Sequence, residues 1–335
     1  MTRIGVAGVG LIGRQHLDAI ERASGVTVAG VFDPALKEEV PWPIVNSLSE
    51  LAAQSDGVIL AVPNHLHADM AMKLIDADCP ILIEKPFTAT AADGVAVVQA
   101  ATKAGVPILV GHHRRHNPLV VKAHEIIAEG KLGTVTTVQG TCWLPKPDDY
   151  FAQAWRQGAG AGPLFINLIH DIDLLMYLCG PISHVQAMES SAVRGAEAEE
   201  VTVATLRFAS GALGTVNLSD VALGPWSWEL TAGENPAYPK TDQSSYLIGG
   251  TKGSLSLPNL SLWTQKGGPD WWAPINQTRV PLPLSDPLKA QILHFAEVIK
   301  GKAEPLVSGA DGLRAVQVIE AIKTAAGSGQ VVSVG

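Results

Sequence analysis

The sequence predicts an α/β fold, in which a doubly wound parallel sheet is followed by a second α/β domain with a large, mostly antiparallel open sheet. Three observations support this prediction. A glycine-rich turn follows the first apolar run, short apolar runs alternate with helical patterns as far as residue 118, and strand-like runs separated by turn signals dominate the next part of the chain. Apolar strands that alternate with helices are typical of parallel sheets covered on both faces.

The glycine-rich turn contains Gly8, Gly10 and Gly13 and lies between the apolar residues 4–7 and a helix expected to begin near Leu11. In this pattern the first glycine allows a tight turn, and the second lets the backbone approach a pyrophosphate. The third lets the helix pack closely against the strand. The diphosphate would then lie on the unpaired N–H groups of the helix.

An acidic residue follows the glycines at the distance that this pattern requires. Asp33 comes after the second apolar run, residues 26–32, and lies twenty residues beyond Gly13. Its carboxylate can accept hydrogen bonds from the adenosine ribose hydroxyls and would repel a 2′-phosphate. Because residues 34–36 contain no arginine that could receive such a phosphate, the sequence predicts a Rossmann domain that prefers NAD, with NADP less favoured.

Further elements are expected on both sides of residue 118. In the first part, strands are expected over residues 57–62, 80–83 and 106–110, and helices over residues 48–53, 65–76 and 91–104. In the second part, helices are expected over residues 119–129 and 165–178, and strands over residues 133–141, 183–188, 201–208, 211–218, 227–232, 245–248 and 254–257.

Two helices close the chain, and Ser308 and Asp311 form a capping box at the start of the last one. We therefore expect an NAD-binding domain over residues 1–118. A substrate-binding and oligomerisation domain is expected over residues 119–335, and its last helices can pack back on the first domain.

Composition narrows the class of partner. The 335 residues carry a net charge of −8, which argues against nucleic acid or an anionic membrane surface as a partner. Apolar residues make up 47% and charged residues 17%, which indicates an ordered globular protein. No apolar stretch reaches the ~18 residues of a membrane span. Three widely spaced cysteines are most simply read as reduced thiols in a cytoplasmic protein.

Polar residues follow three of the predicted parallel strands. They occupy residues 63–67, 84–86 and 111–118. Because ligands collect at the carboxyl ends of strands in an open parallel sheet, three such clusters at neighbouring strand ends indicate a functional site.

Four motifs together resemble those of the Gfo/Idh/MocA family, a large group of nicotinamide-dependent sugar and polyol oxidoreductases. They are the turn at residues 8–13, Pro63-Asn64-His65-Leu66-His67, Glu84-Lys85-Pro86, and Ile166-Asn167-Leu168-Ile169-His170-Asp171-Ile172-Asp173. The resemblance covers essentially the whole chain. It implies a Rossmann domain followed by an α/β domain whose open sheet commonly serves oligomerisation. It also implies that Lys85 and His170 face the substrate carbon that exchanges a hydride with the nicotinamide, and suggests a cis peptide before Pro86.

These two catalytic roles agree with physical chemistry. Oxidising an alcohol requires a proton acceptor near neutral pH, and a histidine with a pKa near ~6.5 suits that task. A lysine ammonium close to the substrate oxygen would stabilise developing alkoxide charge. We therefore expect an NAD-dependent dehydrogenase that acts on a small polyhydroxylated substrate, with His170 as the base and Lys85 as the group that positions the hydroxyl.

The remaining site residues are expected in two sets. The cofactor set is Gly8, Gly10, Leu11, Ile12, Gly13, Asp33, Pro63, Asn64, His67, Glu84 and Lys85, and the substrate set is Arg115, Trp155, Arg156, Asn167 and Asp173. For Trp155, filling a core is as reasonable as lining a pocket. No metal site is expected, because two arginines within the histidine-rich segment 112–116 would repel a cation.

One position departs from the family pattern. Many members place an aspartate four residues before the histidine, whereas this chain has Ile166 there. Asn167, Asp171 or a backbone carbonyl could orient His170 instead. Asp173 matches the acidic position three residues after the histidine and could bind a substrate hydroxyl, although an aspartate on a helix surface is nearly as simple an interpretation.

Alternatives to the dehydrogenase are a reductase or dihydrodiol dehydrogenase with a non-sugar substrate, and a non-catalytic NAD-binding regulator. The presence of both Lys85 and His170 favours an enzyme. An open sheet needs its outer face covered, so a homodimer or homotetramer is expected.

Overall fold

The computed structural model describes residues 1–158, 160–282 and 286–335, without the side chains of residues 154 and 155. The chain forms two compact units. The first comprises residues 1–116 and 286–316, and the second comprises residues 117–285 and 317–335.

The elements are numbered in chain order. The strands are β1 (Thr2–Ala7), β2 (Val26–Phe32), β3 (Gly57–Leu60), β4 (Ile81–Ile83), β5 (Ile108–Val110), β6 (Val135–Trp143), β7 (Ile182–Ser190), β8 (Val201–Phe208), β9 (Leu213–Ser219), β10 (Tyr246–Gly250), β11 (Gly253–Leu257), β12 (Ser261–Gln265), β13 (Ile275–Arg279) and β14 (Val332–Ser333). The helices are α1 (Leu11–Arg22), α2 (Leu48–Gln54), α3 (His67–Asp76), α4 (Ala91–Ala104), α5 (Pro118–Ala128), α6 (Ile169–Cys179), α7 (Trp228–Ala232), α8 (Pro287–Ile299) and α9 (Gly309–Ser328).

The first unit contains a five-stranded sheet in the order β2-β1-β3-β4-β5. All of its strand pairs are parallel. Every residue of β3, β4 and β5 is buried, which explains why these strands are apolar throughout. Because the strands are parallel, the segments that follow β1, β3, β4 and β5 emerge at one edge of this sheet.

Side chains start several helices of the first unit. The Ser47 hydroxyl accepts the N–H of Glu50 at the start of α2 (3.1 Å), and the Thr90 hydroxyl accepts the N–H of Asp93 at the start of α4 (3.2 Å). By contrast, α1 begins after Gly10, which offers no side chain as a cap. The first N–H groups of α1 are therefore left for another acceptor.

The second unit contains a nine-stranded sheet in the order β13-β12-β11-β10-β6-β9-β8-β7-β14. Only the central pair β6–β9 is parallel, and the other described pairs are antiparallel. Helix α6 packs on β6, and β8 alternates between buried and exposed residues. One face of this sheet is therefore open within the unit. The predicted fold class is confirmed, and none of the described helices is long and apolar enough to cross a membrane.

The strand predicted over residues 227–232 is wrong, because this segment forms helix α7. The Ser227 hydroxyl accepts the N–H of Leu230 (3.3 Å), and Gly233 ends the helix in the left-handed conformation with φ +67°. These two local signals override the strand propensity of the apolar and aromatic residues between them.

Other differences are smaller. The helix predicted over residues 165–178 is divided into a π-helical turn, Leu164–Leu168, and α6. Strands β12, β13 and β14 were not expected. All residues of β13 are exposed, so its sequence lacks the alternation that marks a half-buried strand.

Candidate active site

The three glycines after β1 are required for three different reasons. Gly8 has φ +92°, and a Cβ there would lie 2.3 Å from the carbonyl oxygen of Ala61. A Cβ on Gly13 would lie 1.9 Å from the carbonyl oxygen of Gly8, so this glycine allows α1 to pack against the turn. A Cβ on Gly10 would meet no atom within 4 Å, and its φ is −72°. Packing does not require glycine at this position, whereas close approach of a ligand does.

The start of α1 provides the features that a dinucleotide requires. The helix has neither a side-chain cap nor an acidic residue in its first turn, so its N–H groups and dipole favour an anion. Leu11 and Ile12 are 77% and 38% exposed, which leaves an apolar surface beside these N–H groups.

The carboxylate of Asp33 is held next to the glycine turn. One oxygen accepts the N–H of Val9 and the other accepts the N–H of Ala35, both at 2.8 Å. These two bonds fix the carboxylate at the end of β2, where the pattern places the adenosine ribose. Beyond it, Arg14 is paired with Glu38 at 2.5 Å, and both side chains are exposed. The residues of this turn therefore fit NAD, and a 2′-phosphate would meet the like charge of Asp33.

The segment after β3 contains two exposed residues and one buried histidine. Pro63 and Asn64 are exposed at a 3₁₀ turn, Asn64–Leu66. His67 is 1% exposed, and its ring nitrogens lie 2.9 Å from the carbonyl oxygens of Val62 and Pro86. Burial lowers the pKa of His67, although these two carbonyls oppose the shift. The imidazole thus connects the loops that follow β3 and β4.

The segment after β4 carries Glu84, Lys85 and Pro86, and the peptide bond between Lys85 and Pro86 is cis. Glu84 is buried, with one carboxylate oxygen 2.7 Å from Nε2 of His16. The other oxygen accepts the N–H of Lys85 at 3.1 Å. Burial opposes ionisation of Glu84, but the hydrogen bond with His16 and the neighbouring charges lower its pKa to about 2. The main chain of Lys85 is therefore anchored to an ionised carboxylate.

Arg115 and His116, which follow β5, contact other residues of the first unit. Arg115 is 4% exposed and donates to the carbonyl oxygen of Leu306 at 3.2 Å, and it lies 3.6 Å from the carboxylate of Asp311. Nε2 of His116 lies 3.2 Å from Nδ1 of His294. Burial, together with the charge of His294, lowers the pKa of His116 to about 3. Within the described ranges, no three His, Cys, Asp or Glu side chains are arranged to hold a metal ion.

In the second unit, the π-helical turn and α6 carry the predicted histidine and its polar neighbours. His170, Asp171 and Asp173 are buried at the start of α6. The hydroxyl of Tyr246 donates a hydrogen bond to the carboxylate of Asp171. Oδ1 of Asn167 is buried and has no hydrogen-bond partner among the described residues. This oxygen is therefore suited to accept a bond from a hydroxyl.

Glu199 fixes the start of this π-helical turn, a role that the sequence did not indicate. Its carboxylate accepts the N–H of Leu164 at 3.1 Å and pairs with Lys323 at 2.9 Å. A Cβ on Gly162 would lie 2.1 Å from the same carboxylate, so the chain passes close to it. Because these contacts join residues far apart in sequence, no local pattern could have identified them.

Arg156 and the aromatic residues near it pack against one another. Its guanidinium lies 4.0 Å from the ring centre of Tyr150 and donates to the carbonyl oxygen of Tyr150 at 2.7 Å. Trp143 donates to the side chain of Asn217 at 2.9 Å. The side chain of Trp155 lies outside the described part of the structure.

A buried ionic cluster, also not foreseen, holds the segment that contains Tyr150. Arg194 lies 2.5 Å from Asp220 and 3.3 Å from Glu200, and its guanidinium lies 4.0 Å from the ring centre of Phe151. Lys146 lies 3.4 Å from Asp220. Burial lowers the pKa of Lys146, and the carboxylate of Asp220 opposes this shift.

Known proteins share both parts of the chain. Residues 2–112 match the model of the oxidoreductase family with an NAD-binding Rossmann fold, and residues 120–256 match the GFO/IDH/MocA C-terminal domain. The chain belongs to the Gfo/Idh/MocA family. This family member is an NAD-binding oxidoreductase.

Relatives of this oxidoreductase include enzymes that act on sugars. It is 25% identical to a 1,5-anhydro-D-fructose reductase from Ensifer adhaerens, with 100% of this chain and 99% of the relative covered. It is 29% identical to a levoglucosan dehydrogenase from Pseudarthrobacter phenanthrenivorans over 50% of both chains. The structure of the WlbA dehydrogenase from Bordetella pertussis with NADH and UDP-GlcNAcA superposes with a TM-score of 0.78. That match has 25% identity and covers 100% of this chain and 99% of the other.

Replacement by alanine should affect NAD binding at Gly10 and folding at Gly13. Gly10→Ala adds a methyl group in open space, so the protein should fold with a loss of at most about 1 kcal/mol while NAD binding weakens. Gly13→Ala forces a clash with the backbone of Gly8 and should destabilise the fold itself. Thermal melting and NAD titration of both variants test this contrast. Normal NAD affinity in Gly10→Ala would show that the cofactor does not approach this atom.

Proposed function

We propose that the protein is an NAD-dependent dehydrogenase that oxidises a hydroxyl of a sugar, a cyclic polyol or a related vicinal diol, with Lys85 and His170 at the reacting carbon. The observation that carries the proposal is the anchoring of Lys85 within the NAD-binding unit. Its N–H is bonded to Glu84, and the carbonyl oxygen of the next residue, Pro86, is bonded to His67. Two buried side chains thus fix the backbone on either side of one lysine.

Lys85 stabilises charge on the substrate oxygen. As the hydroxyl loses its proton, the oxygen gains negative charge, and a fixed ammonium stabilises that charge without rearranging at the moment of reaction. The same ammonium holds the hydroxyl in the orientation that hydride loss requires. When bound, the nicotinamide supplies the acceptor for the hydride.

His170 takes the hydroxyl proton. It lies at the start of α6 and is 8% exposed, so bulk water has little access to the imidazole. Asp171, next to it, is buried and bonded to Tyr246. This bond holds the first turn of α6 against β10, so His170 is on a fixed element.

Hydroxyl recognition is assigned to Asn167 and Asp173. Asn167 has a buried oxygen with no hydrogen-bond partner in the described part of the chain, and Asp173 is fully buried. Arg115 and Arg156 have their guanidinium groups engaged with Asp311 and Tyr150, respectively. We therefore assign them structural roles within their own units, and the same holds for the buried His67.

The reverse reaction, reduction of a carbonyl, is the second candidate. One relative that matches over the whole chain is a reductase, and the same two residues suit either direction. In reduction, His170 would return the proton and Lys85 would polarise the carbonyl. Assays of oxidation and reduction on matched alcohol and ketone pairs distinguish the two directions.

Replacement of Lys85 or His170 by alanine should spare NAD binding and depress turnover. The loss of a positioned acid–base group typically costs ~10²- to 10⁴-fold in rate. Lys85→Ala should lower turnover at least as much as His170→Ala does, since water can replace a base more easily than it can replace a fixed ammonium. The neutral-pH limb of the kcat profile should be absent in His170→Ala.

An exposed lysine provides a matched control. Lys103→Ala on α4 removes the same side-chain type from the surface and should leave kcat unchanged. Near-normal turnover in both Lys85→Ala and His170→Ala would assign the chemistry to other residues.

The open face of the second sheet supports self-association, and we propose a homodimer or homotetramer built through it. Val203, Leu213 and Leu247 are 44%, 56% and 49% exposed on β8, β9 and β10. These side chains lie on the uncovered face of the sheet, where a second copy of the sheet would bury them. No disulfide joins Cys79, Cys142 or Cys179, which supports a reducing, cytoplasmic location.

A lysine introduced on this face should lower the molecular mass of the assembly. Leu213→Lys and Leu247→Lys would each bury a charge in the proposed interface, so light scattering should show a shift toward the monomer. Val95→Lys, on an exposed position of α4, is the matched control and should retain the mass of the unmutated protein. A monomeric unmutated protein at micromolar concentration would contradict the proposal.

A further inference from the structure

The carboxylate of Glu84 connects two elements that none of the sequence motifs links. His16 lies on α1, whereas Glu84 follows β4, and the two residues are 68 positions apart. Nε2 of His16 lies 2.7 Å from one carboxylate oxygen, and the N–H of Lys85 donates to the other at 3.1 Å. His16 is fully buried and Glu84 is 7% exposed, so water does not compete for these bonds.

The surroundings of His16 fix the direction of its hydrogen bond. Nδ1 of His16 is buried and has no hydrogen-bond partner among the described residues. Because an ionised carboxylate can only accept hydrogen bonds, Nε2 of His16 carries the proton of this bond and donates it to Glu84.

The charge of Glu84 is balanced by groups on three segments. Burial opposes its ionisation, while the hydrogen bond and the charge of His16 on α1, the charge of Lys85 and that of His113 after β5 lower its pKa to about 2. Electrostatic attraction is mutual. An ionised Glu84 therefore favours the ammonium form of Lys85 over the neutral amine.

The carboxylate has little freedom to turn. A Cβ on Gly111, at the end of β5, would lie 2.7 Å from the oxygen that faces His16. The backbone of Gly111 thus packs directly against Glu84. On the other side of Lys85, His67 holds the carbonyl oxygen of Pro86 at 2.9 Å.

We propose that His16 and Glu84 are positioning residues for Lys85. His16 fixes the carboxylate of Glu84, and this carboxylate orients the main chain of Lys85 and places a negative charge on the residue directly before it. Because His16 belongs to the helix that begins at the NAD-binding turn, the pair links that helix to the proposed catalytic lysine. The inference rests on the proposed function only for the statement that Lys85 acts on the substrate.

The first test removes the charge of Glu84 and keeps its shape. In Glu84→Gln the side chain can still accept the N–H of Lys85, but it no longer favours the ammonium form. The pH at which acetic anhydride half-labels Lys85, read by peptide mass spectrometry, should fall by roughly half a unit or more. The kcat should fall about ten- to hundredfold, with little change in the KM for NAD.

The second test changes the donor to Glu84. His16→Leu removes the donor, so burial should raise the pKa of Glu84. As the pH is lowered from about 7 to about 4, the infrared difference spectrum should then show the band of a buried protonated carboxyl group. The unmutated protein should lack this band, because Glu84 titrates near 2. His16→Gln can place an amide N–H close to the same point and should suppress the band. The double variant His16→Leu/Glu84→Gln should also lack it.

Ile20→Val is the matched control, because it alters a buried side chain on the same helix and leaves the pair intact. It should lower thermal stability without changing the labelling of Lys85 or the carboxyl band. A merely structural role for His16 would make His16→Leu resemble this control.

Each outcome decides the proposal. Unchanged labelling and unchanged kcat in folded Glu84→Gln would overturn it. If Glu84→Gln does not fold, the decision passes to the His16 variants, and the absence of a carboxyl band in His16→Leu would overturn it. Full turnover in Lys85→Ala would instead reject the proposed function, while the labelling result would still decide whether Glu84 controls Lys85.

Discussion

The structure of the NAD-binding unit depends on keeping one carboxylate ionised inside it. Glu84 is buried at the carboxyl end of β4, and its two oxygens are bonded to His16 and to the N–H of Lys85. An isolated buried carboxylate would be very unfavourable, so these bonds and the nearby positive charge are required. The shift of its pKa from 4.5 to about 2 corresponds to roughly 3 kcal/mol in favour of the ionised form. This contribution is complete above pH 4.5 and is lost as the pH falls toward 2.

The segments of the first unit that match the family pattern lie at one edge of its sheet, where hydrogen bonds hold several of them. The turn after β1 leaves N–H groups and open space at Gly10, and Asp33 is fixed beside it by two backbone bonds. The loop after β4 is held by His16 through Glu84 and by His67 through Pro86. Hydrogen bonds within the unit therefore hold Asp33 and the loop after β4 in place. Such preorganisation is what electrostatic catalysis requires.

The sequence predicted the features whose physical cause is local. The separate reasons for Gly8 and Gly13 could be stated beforehand, because the spacing of the glycines encodes a turn and a close helix contact. The capping box of Ser308 and Asp311 is confirmed for the same reason, with Ser308 accepting the N–H of Asp311 at 3.2 Å. Where a local cap competed with propensity, as in α7, the prediction was wrong.

Long-range partners could not be predicted. His16 gives no sign in sequence of a bond to a residue 68 positions away, and Glu199 gives none of its bond to Leu164, 35 positions away. Arg115 was assigned to substrate because its charge suits oxygen-rich ligands. In the structure its side chain is buried and lies against Leu306 and Asp311, a placement that its charge and position in the sequence did not indicate. Charge and spacing identify candidate residues, whereas burial and bonding partners determine which groups remain available to a ligand.

The central claim is that the enzyme removes a hydride from a carbinol carbon with the help of Lys85. The most direct measurement first monitors NADH formation across a panel of aldoses, inositols, anhydrosugars and dihydrodiols. Each compound that is oxidised is then tested again with deuterium on its carbinol carbon. The account predicts that mass spectrometry finds the deuterium in the NADH formed, and that Lys85→Ala binds NAD normally but forms almost none. Tight NAD binding without deuterium transfer from any member of the panel, or undiminished transfer in Lys85→Ala, would contradict it.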